Sequence, residues 1–203
     1  MQWMEETVID FFLAHKRIFL TMHIVGVILG MGGATITDIL FFNFLRDFRI
    51  SKKEAEVMHV MSNIIMGALG VIYISGIALF LSDPDAFSQS SAFIAKTIIV
   101  VIITINGVAM HKFIAPHMVK FSFMHHPMKA KQAIHRMRAI AFGMGAISFT
   151  SWYSVFFIAM LKSYLPSGTH VLHIMLGYLL ILCCAILTSQ ILHSRIRTRS
   201  LIE

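Results

Sequence analysis

The sequence predicts an all-α integral membrane protein, a bundle of five transmembrane helices forming a single domain over residues 1–203. Hydrophobic residues make up 57% of the chain and charged residues only 13%, whereas a soluble domain carries about 25% charged residues. Five apolar stretches each reach about 20 residues, which is the length that crosses roughly 30 Å of hydrocarbon. The four prolines, 12 glycines and two cysteines are too few for a disordered chain, a collagen-like fibre or a disulfide scaffold.

The predicted spans follow one another without a second domain. They cover residues 18–45, 57–81, 92–114, 139–162 and 168–193. The preceding segment 3–14 combines aromatic and aliphatic residues with acidic ones, which predicts a short interfacial helix at the N-terminus. Acidic residues rather than a basic segment precede the first span, and that span is too long for a signal peptide, so we expect it to be retained.

The positions of the basic residues predict the orientation of the spans. Thirteen of the 17 lysines and arginines lie between spans one and two, between spans three and four, or in the tail. Because basic residues favour cytoplasmic loops, we expect the N-terminus outside and the C-terminus in the cytoplasm of a bacterial-type inner membrane. This topology accounts for most of the formal charge of +7, so we expect membrane lipid as a partner and no binding of nucleic acid.

Polar side chains within the spans carry the functional signal, since each costs a few kcal/mol at the bilayer centre unless it is paired. With the predicted orientation they form two layers. The outer layer contains histidine and lysine residues, namely His23, Lys96, His170 and His173. The inner layer contains acidic, amide and imidazole side chains, namely Asp38, His59, Asn63, Asn106 and His111.

The first span places His23 on the same face as Gly26 and Gly30, because residues three, four and seven apart share one side of a helix. Such a face is typical either of close helix packing or of space beside a flat cofactor. His23 and His173 lie at similar depths on different helices, and two neutral imidazoles are what a six-coordinate haem b requires. We therefore predict a haem b-binding redox protein, with the iron held by His23 and by His173 or His170.

Other polar residues have assigned roles in this hypothesis. Lys96 and Arg17 are expected either to pair with haem propionates or to extend to the lipid headgroups. Trp152 or Tyr153, in the donor- and aromatic-rich stretch 148–153, is expected to tune the haem or relay electrons. The inner layer is expected to hold a second haem, to pass protons or to close the bundle by hydrogen bonds, so the cofactor count is one or two.

Two other hypotheses compete with haem binding. One is a carrier that moves copper or iron between the two layers, with histidine and methionine ligands and Asp38 as an inner station. The connection 117–135 is rich in histidine and methionine, although its interleaved lysines and arginines also indicate a basic segment on anionic lipid. The other is a noncatalytic scaffold whose glycine faces pack on a partner, which includes a homo-oligomer. No nucleotide-binding or common hydrolase motif occurs.

Two segments resemble a known superfamily. Residues 22–33, with His23 followed by glycines, and residues 95–106, with Lys96 in an apolar run and Asn106 further along, are similar to helices of HemJ-type protoporphyrinogen oxidases and CopD-type copper-resistance membrane proteins. The resemblance implies that haem b and activity are associated with His23 and Lys96. It adds a membrane haem-dependent oxidoreductase of the protoporphyrinogen oxidase type as an alternative. Asp38 and the stretch 148–153 do not match the pattern of either branch, and no motif indicates the electron donor or acceptor.

Overall fold

The computed structural model describes residues 2–47, 52–114, 127–166 and 168–199, and these residues form helices joined by short connections. In chain order the α-helices are α1 (Gln2–Ala14), α2 (Lys16–Asp47), α3 (Lys52–Leu81), α4 (Pro84–Ser88), α5 (Ser91–Ala109), α6 (Pro127–Met160) and α7 (Val171–Arg199). Helices α2, α3, α5, α6 and α7 are each long and apolar enough to cross a membrane. The predicted fold class, an all-α membrane protein with five spans, is therefore confirmed, and the chain is a multi-pass membrane protein.

The apolar parts of these five helices agree with the predicted spans to within four residues at every end. They run Lys16–Asn43, Lys53–Leu81, Ser91–Phe113, Ala139–Met160 and Val171–Leu192. The predicted N-terminal helix is also present as α1, which packs against α3 and α2. Its position at a membrane interface and the orientation of the bundle stay predictions.

Local sequence signals set the helix boundaries around the connection between α3 and α5. Pro84 is the first residue of α4, and the Asp83 side chain in front of it accepts a hydrogen bond from the backbone of Ala86 at 3.2 Å. The Ser90 hydroxyl accepts from the backbone of Phe93 at 3.4 Å and so caps the start of α5. These side chains satisfy backbone N–H groups that have no partner within their own helix.

Helix α6 occupies the centre of the bundle. It packs against α7, α5 and α2, while α2 lies antiparallel along α3. The main core joins α2, α3, α5, α6 and α7 through the buried residues Ala34, Leu69, Ile72, Ile99, Ile103, Trp152 and Tyr178. Helix α7 is the least enclosed helix, with 6% of its apolar span buried, so most of its surface is left for lipid or another chain.

Candidate functional site

The outer site, as we call His23, Ser75 and Lys96 after the predicted topology, is centred on an imidazole between α2 and α3. His23 Nδ1 lies 3.0 Å from Ser75 Oγ, and the ring also hydrogen-bonds the backbone of Ile72. The Ser75 hydroxyl donates to the carbonyl of Val71 at 2.5 Å, so its oxygen accepts the Nδ1–H of His23. A neutral His23 therefore keeps its proton on Nδ1 and has a free lone pair on Nε2.

Glycines bring α2 close enough to α3 for this hydrogen bond to form. A Cβ atom placed on Gly26 would lie 3.0 Å from Ile72 Cγ1, and one on Gly33 would lie 3.1 Å from Ile65 Cγ1. On the facing helix, a Cβ atom on Gly76 would lie 3.6 Å from Cε1 of His23. These positions therefore serve close helix packing, one of the two alternatives that the sequence leaves open.

Gly30 faces α6 rather than an open space. A Cβ atom on Gly30 would overlap Cη2 of Trp152 and would lie 3.1 Å from two other atoms of its six-membered ring. Trp152 is buried and belongs to the main core. The indole thus fills the volume beside Gly30, which is one of the positions where the glycine face left space for a cofactor as an alternative.

Lys96 supplies a positive charge next to this imidazole. It is half-buried on α5, and its ammonium group is close enough to interact electrostatically with both His23 and Lys162. Among the described residues, no carboxylate forms an ion pair with Lys96. A nitrogen lone pair and an uncompensated cation therefore occur together, which is a combination suited to a ligand that has a metal centre and an anionic group.

The other two outer histidines lie at the beginning of α7. His170 is exposed, and its Nδ1 accepts a long hydrogen bond of 3.5 Å from the backbone of Leu172. His173 is also exposed. Because α7 packs on α6 and α5 and makes no extensive contact with α2, the structure does not bring either residue against His23.

The inner site consists of His59, Ser62 and Asn63 on α3 with His111, which follows α5. Its two imidazole rings have centroids 5.9 Å apart. Ser62 Oγ lies 2.7 Å from Nδ1 of His111, and Asn63 Nδ2 lies 3.3 Å from Nδ1 of His59. His111 belongs to a single turn of π-helix, Met110–Ile114, a distortion that is frequent at functional sites. Three members of the predicted inner layer thus meet here.

The remaining two members of that layer face α6 instead. Asn106 is buried and donates to the carbonyl of Met144 at 3.1 Å. Asp38 hydrogen-bonds Ser148, and its Oδ1 would lie 3.9 Å from a Cβ atom on Gly145. Its Oδ2 is buried and has no hydrogen-bond partner in the described part of the chain. The predicted inner layer therefore divides into an α3–α5 group and a group directed at α6.

Hydroxyl groups form several helix contacts that sequence reasoning missed. Tyr73 bonds Thr104 at 3.0 Å between α3 and α5, and Ser151 bonds Tyr178 at 2.9 Å between α6 and α7. Ser75 and Ser62 are in the same class. Serine and threonine in helices commonly bond their own backbone, so their residue type alone does not reveal which of them reach a neighbouring helix.

The histidine- and methionine-rich connection falls largely outside the described residues. Residues 115–126 contain His117, Met124, His125 and His126, and the side chains of Met128 and His135 are likewise not described. Within the described residues, no group of three or more His, Cys, Asp and Glu side chains is arranged to hold a metal ion.

Comparison with known proteins gives no relative. No protein-family model matches this chain, and no curated protein or solved structure matches it. Its function is therefore inferred from the chemistry of its two polar sites.

Proposed function

We propose that this chain is a haem b-binding redox protein of a bacterial-type inner membrane, in which His23 would bind the iron. The hydrogen bond of 3.0 Å between His23 Nδ1 and Ser75 Oγ carries the proposal. Metal-ligating histidines almost always donate their second ring N–H to an acceptor, which fixes the ring and its tautomer. Ser75 supplies this acceptor and leaves Nε2 of His23 as the ligating atom.

The donor chemistry of the outer site fits haem b. An imidazole nitrogen suits the iron, and the ammonium group of Lys96 suits a propionate. The glycine face does not contribute a cradle, because Gly26 is occupied by Ile72 and Gly30 by Trp152. The residues that would hold the cofactor are therefore His23 and Lys96, and the glycines hold the helices that position them.

A second iron ligand would come from His173 or His170, and this would require the beginning of α7 to move to His23, because the structure does not bring either residue there. Both lie toward the predicted outer side, with His173 at a depth similar to that of His23, and both are exposed at the beginning of the least enclosed span. Neither residue is committed to a bond inside the bundle core. The proposal assigns the second ligand to His173, which lies within α7, whereas His170 precedes the first residue of that helix, Val171.

Each residue of the site has a separate role in the proposal. When bound, haem supplies one-electron transfer between its ferric and ferrous states. Ser75 orients His23, Lys96 neutralises negative charge, and the buried Trp152 packs against Gly30 on the helix that carries His23. The resemblance of the segments around His23 and Lys96 to HemJ- and CopD-type helices supports the same pair of residues.

An absorption spectrum of the purified full-length chain tests this function. After expression with a supply of haem precursor, we expect a Soret band that shifts on reduction with dithionite. His23→Ala should abolish this band. His15→Ala is the matched control, because His15 is exposed and bonds the carbonyl of Phe11 in α1. A wild-type protein without a Soret band, or a band unchanged by His23→Ala, contradicts the proposal.

The second ligand is tested by the same spectrum. His173→Ala should convert a six-coordinate haem to a five-coordinate one, with a shifted and broadened Soret band, while His170→Ala should leave the band unchanged. If His170→Ala alone produces the shift, the ligand is His170. If neither variant changes the spectrum, α7 does not supply a ligand.

A further inference from the structure

The inner site differs from a metal site in the protonation of its histidine. The amide nitrogen of Asn63 is a donor, so Nδ1 of His59 accepts the hydrogen bond of 3.3 Å. A neutral imidazole that accepts at Nδ1 carries its proton on Nε2. His59 therefore presents an N–H group, whereas a metal ion requires a lone pair at that position.

The side-chain amide of Asn63 lies beside the N–H group of His59. The Asn63 amide carries two N–H bonds, and only one of them is used by His59. On the neighbouring π-helical turn, Nδ1 of His111 bonds Ser62 Oγ. In both His59 and His111, Nε2 is therefore the ring nitrogen that is free of these side-chain bonds. The inner site thus offers donors from one imidazole and one amide, next to a second imidazole 5.9 Å away.

These donors face the surroundings of the bundle rather than its core. His59 and Asn63 are exposed, and His111 is only partly buried. The predicted span begins at residue 57, after the charged residues Lys53, Glu54 and Glu56, so His59 lies about 3 Å and Asn63 about 9 Å along the helix from its start. His59 is therefore near the end of the span, where an imidazole also reaches interfacial water, and Asn63 is the deeper of the two. An exposed polar side chain within a span is rare unless it serves a function.

Space is available further along the same side of α3. Gly70 lies seven residues, or two turns, after Asn63, and a Cβ atom placed on it would have no neighbour within 4 Å. Tyr73 follows it and bonds Thr104 at 3.0 Å. The surface between the inner site and Tyr73 is therefore open toward the lipid and combines polar donors at one end with a small residue in the middle.

We propose that this surface, with His59, Asn63 and His111 at its inner end, binds the headgroup of a lipid-soluble quinone. Quinone carbonyls are hydrogen-bond acceptors and match the Nε2–H of His59 and the free amide N–H of Asn63. The apolar tail of the ligand matches the open surface at Gly70, about 10 Å further along the helix, which is reached from the lipid. As an electron partner, the quinone rests on the proposed haem function, but its binding does not depend on haem.

Two other occupants are less compatible with these observations. A metal ion requires the Nε2 lone pair that His59 lacks in this hydrogen-bond arrangement. A phospholipid phosphate is bound mainly by cationic side chains, whereas Asn63 contributes an uncharged amide. Both occupants are included as outcomes of the test.

Calorimetric titration of the purified full-length chain with decylubiquinone tests the proposal. We expect saturable binding at one site in the wild type. His59→Ala and Asn63→Ala should each weaken binding by about tenfold, the effect of losing one hydrogen bond from a site that excludes water. Gly70→Leu should weaken binding by covering the surface that the ligand's tail follows, while the polar side chains stay unchanged.

The matched control for Gly70→Leu is Gly177→Leu on α7, where a Cβ atom also has no neighbour within 4 Å; this variant should bind like the wild type. Equal, non-saturable partitioning of decylubiquinone into all four variants and the wild type overturns the proposal. So does Zn²⁺ binding or displacement of the probe by phosphatidylglycerol that depends on His59. The Soret band of the same samples separates the two proposals, since quinone binding without a Soret band contradicts only the haem function.

Discussion

The outer and inner sites present the same residue type in two opposite states. At the outer site the Ser75 hydroxyl donates to Val71 and therefore accepts from His23. At the inner site the Asn63 amide donates to His59. The free Nε2 atom is consequently a lone pair in His23 and an N–H group in His59. One neighbouring side chain thus determines whether a membrane histidine suits a metal centre or a carbonyl ligand.

The two sites also differ in packing. Next to His23, the glycines of α2 are in contact with α3 and α6, and Gly30 lies directly against Trp152. Next to His59, Gly70 has open space around it. The outer site is therefore part of the close-packed core, while the inner site lies at an accessible surface.

The largest expected effect tests the difference in packing between Gly30 and Gly70. Gly30→Leu forces four carbon atoms into the volume of the Trp152 indole, and we expect it to lower the free energy of unfolding by about 3 kcal/mol. Gly70→Leu on α3 is the control and should leave unfolding nearly unchanged. The measurement is the midpoint of unfolding in a titration of mixed micelles with dodecyl sulfate. Equal midpoints for the two variants would show that Gly30 is not in contact with the indole.

The next largest effect tests the hydrogen bond between His23 and Ser75. Ser75→Ala removes the acceptor of the His23 Nδ1–H, and loss of such a partner typically costs about 10- to 100-fold in affinity for the bound metal centre. We expect a corresponding increase in the rate at which haem is lost to apomyoglobin. Ser62→Ala, which removes the equivalent partner of His111, should not change this rate. An unchanged rate in Ser75→Ala would refute the orienting role of Ser75.

A smaller effect tests whether the α6–α7 contact is independent of both sites. Tyr178→Phe removes the hydrogen bond of 2.9 Å to Ser151, so we expect the free energy of unfolding to fall by about 1 kcal/mol. Haem content and decylubiquinone affinity should stay at wild-type values. A change in either of them would couple this contact to a site and would weaken the distinction between the two regions.

The smallest effect concerns charge at the outer site. Lys96→Met removes the ammonium group but keeps a long apolar side chain, and we expect haem affinity to fall by less than about fivefold, because half-buried charges are partly screened. Lys53→Met is the matched control, since Lys53 is exposed at the opposite end of the bundle, in the first turn of α3, and it should leave haem affinity unchanged. If Lys96→Met binds haem as tightly as the wild type, Lys96 does not hold a propionate.

The five spans were predictable from the sequence because length and hydropathy alone determine which segments can cross a membrane. The inner layer predicted from depth also contains His59, Asn63 and His111, and the structure joins these three residues. These properties depend on residues of a single helix or on depth along it. They require no knowledge of which helices are neighbours.

The partners across helix boundaries were not predictable in this way. Their positions within the predicted spans place His23 and His173 at similar depths. These positions do not reveal that α6 packs against both of their helices. Likewise, it shows that Gly30 lies on the face of His23 without showing that Trp152 fills the adjacent space. Ser75 gave no signal because a serine in a helix usually bonds its own backbone.

The tautomers of the two histidines test the central difference most directly. Nitrogen-15 NMR of the haem-free full-length chain, labelled at histidine and assigned with His23→Gln and His59→Gln, distinguishes a protonated from an unprotonated ring nitrogen. We expect His23 to carry its proton on Nδ1 and His59 on Nε2. A proton on Nε2 of His23, or on Nδ1 of His59, would contradict the assignment of a ligating histidine to the outer site and a donating histidine to the inner one.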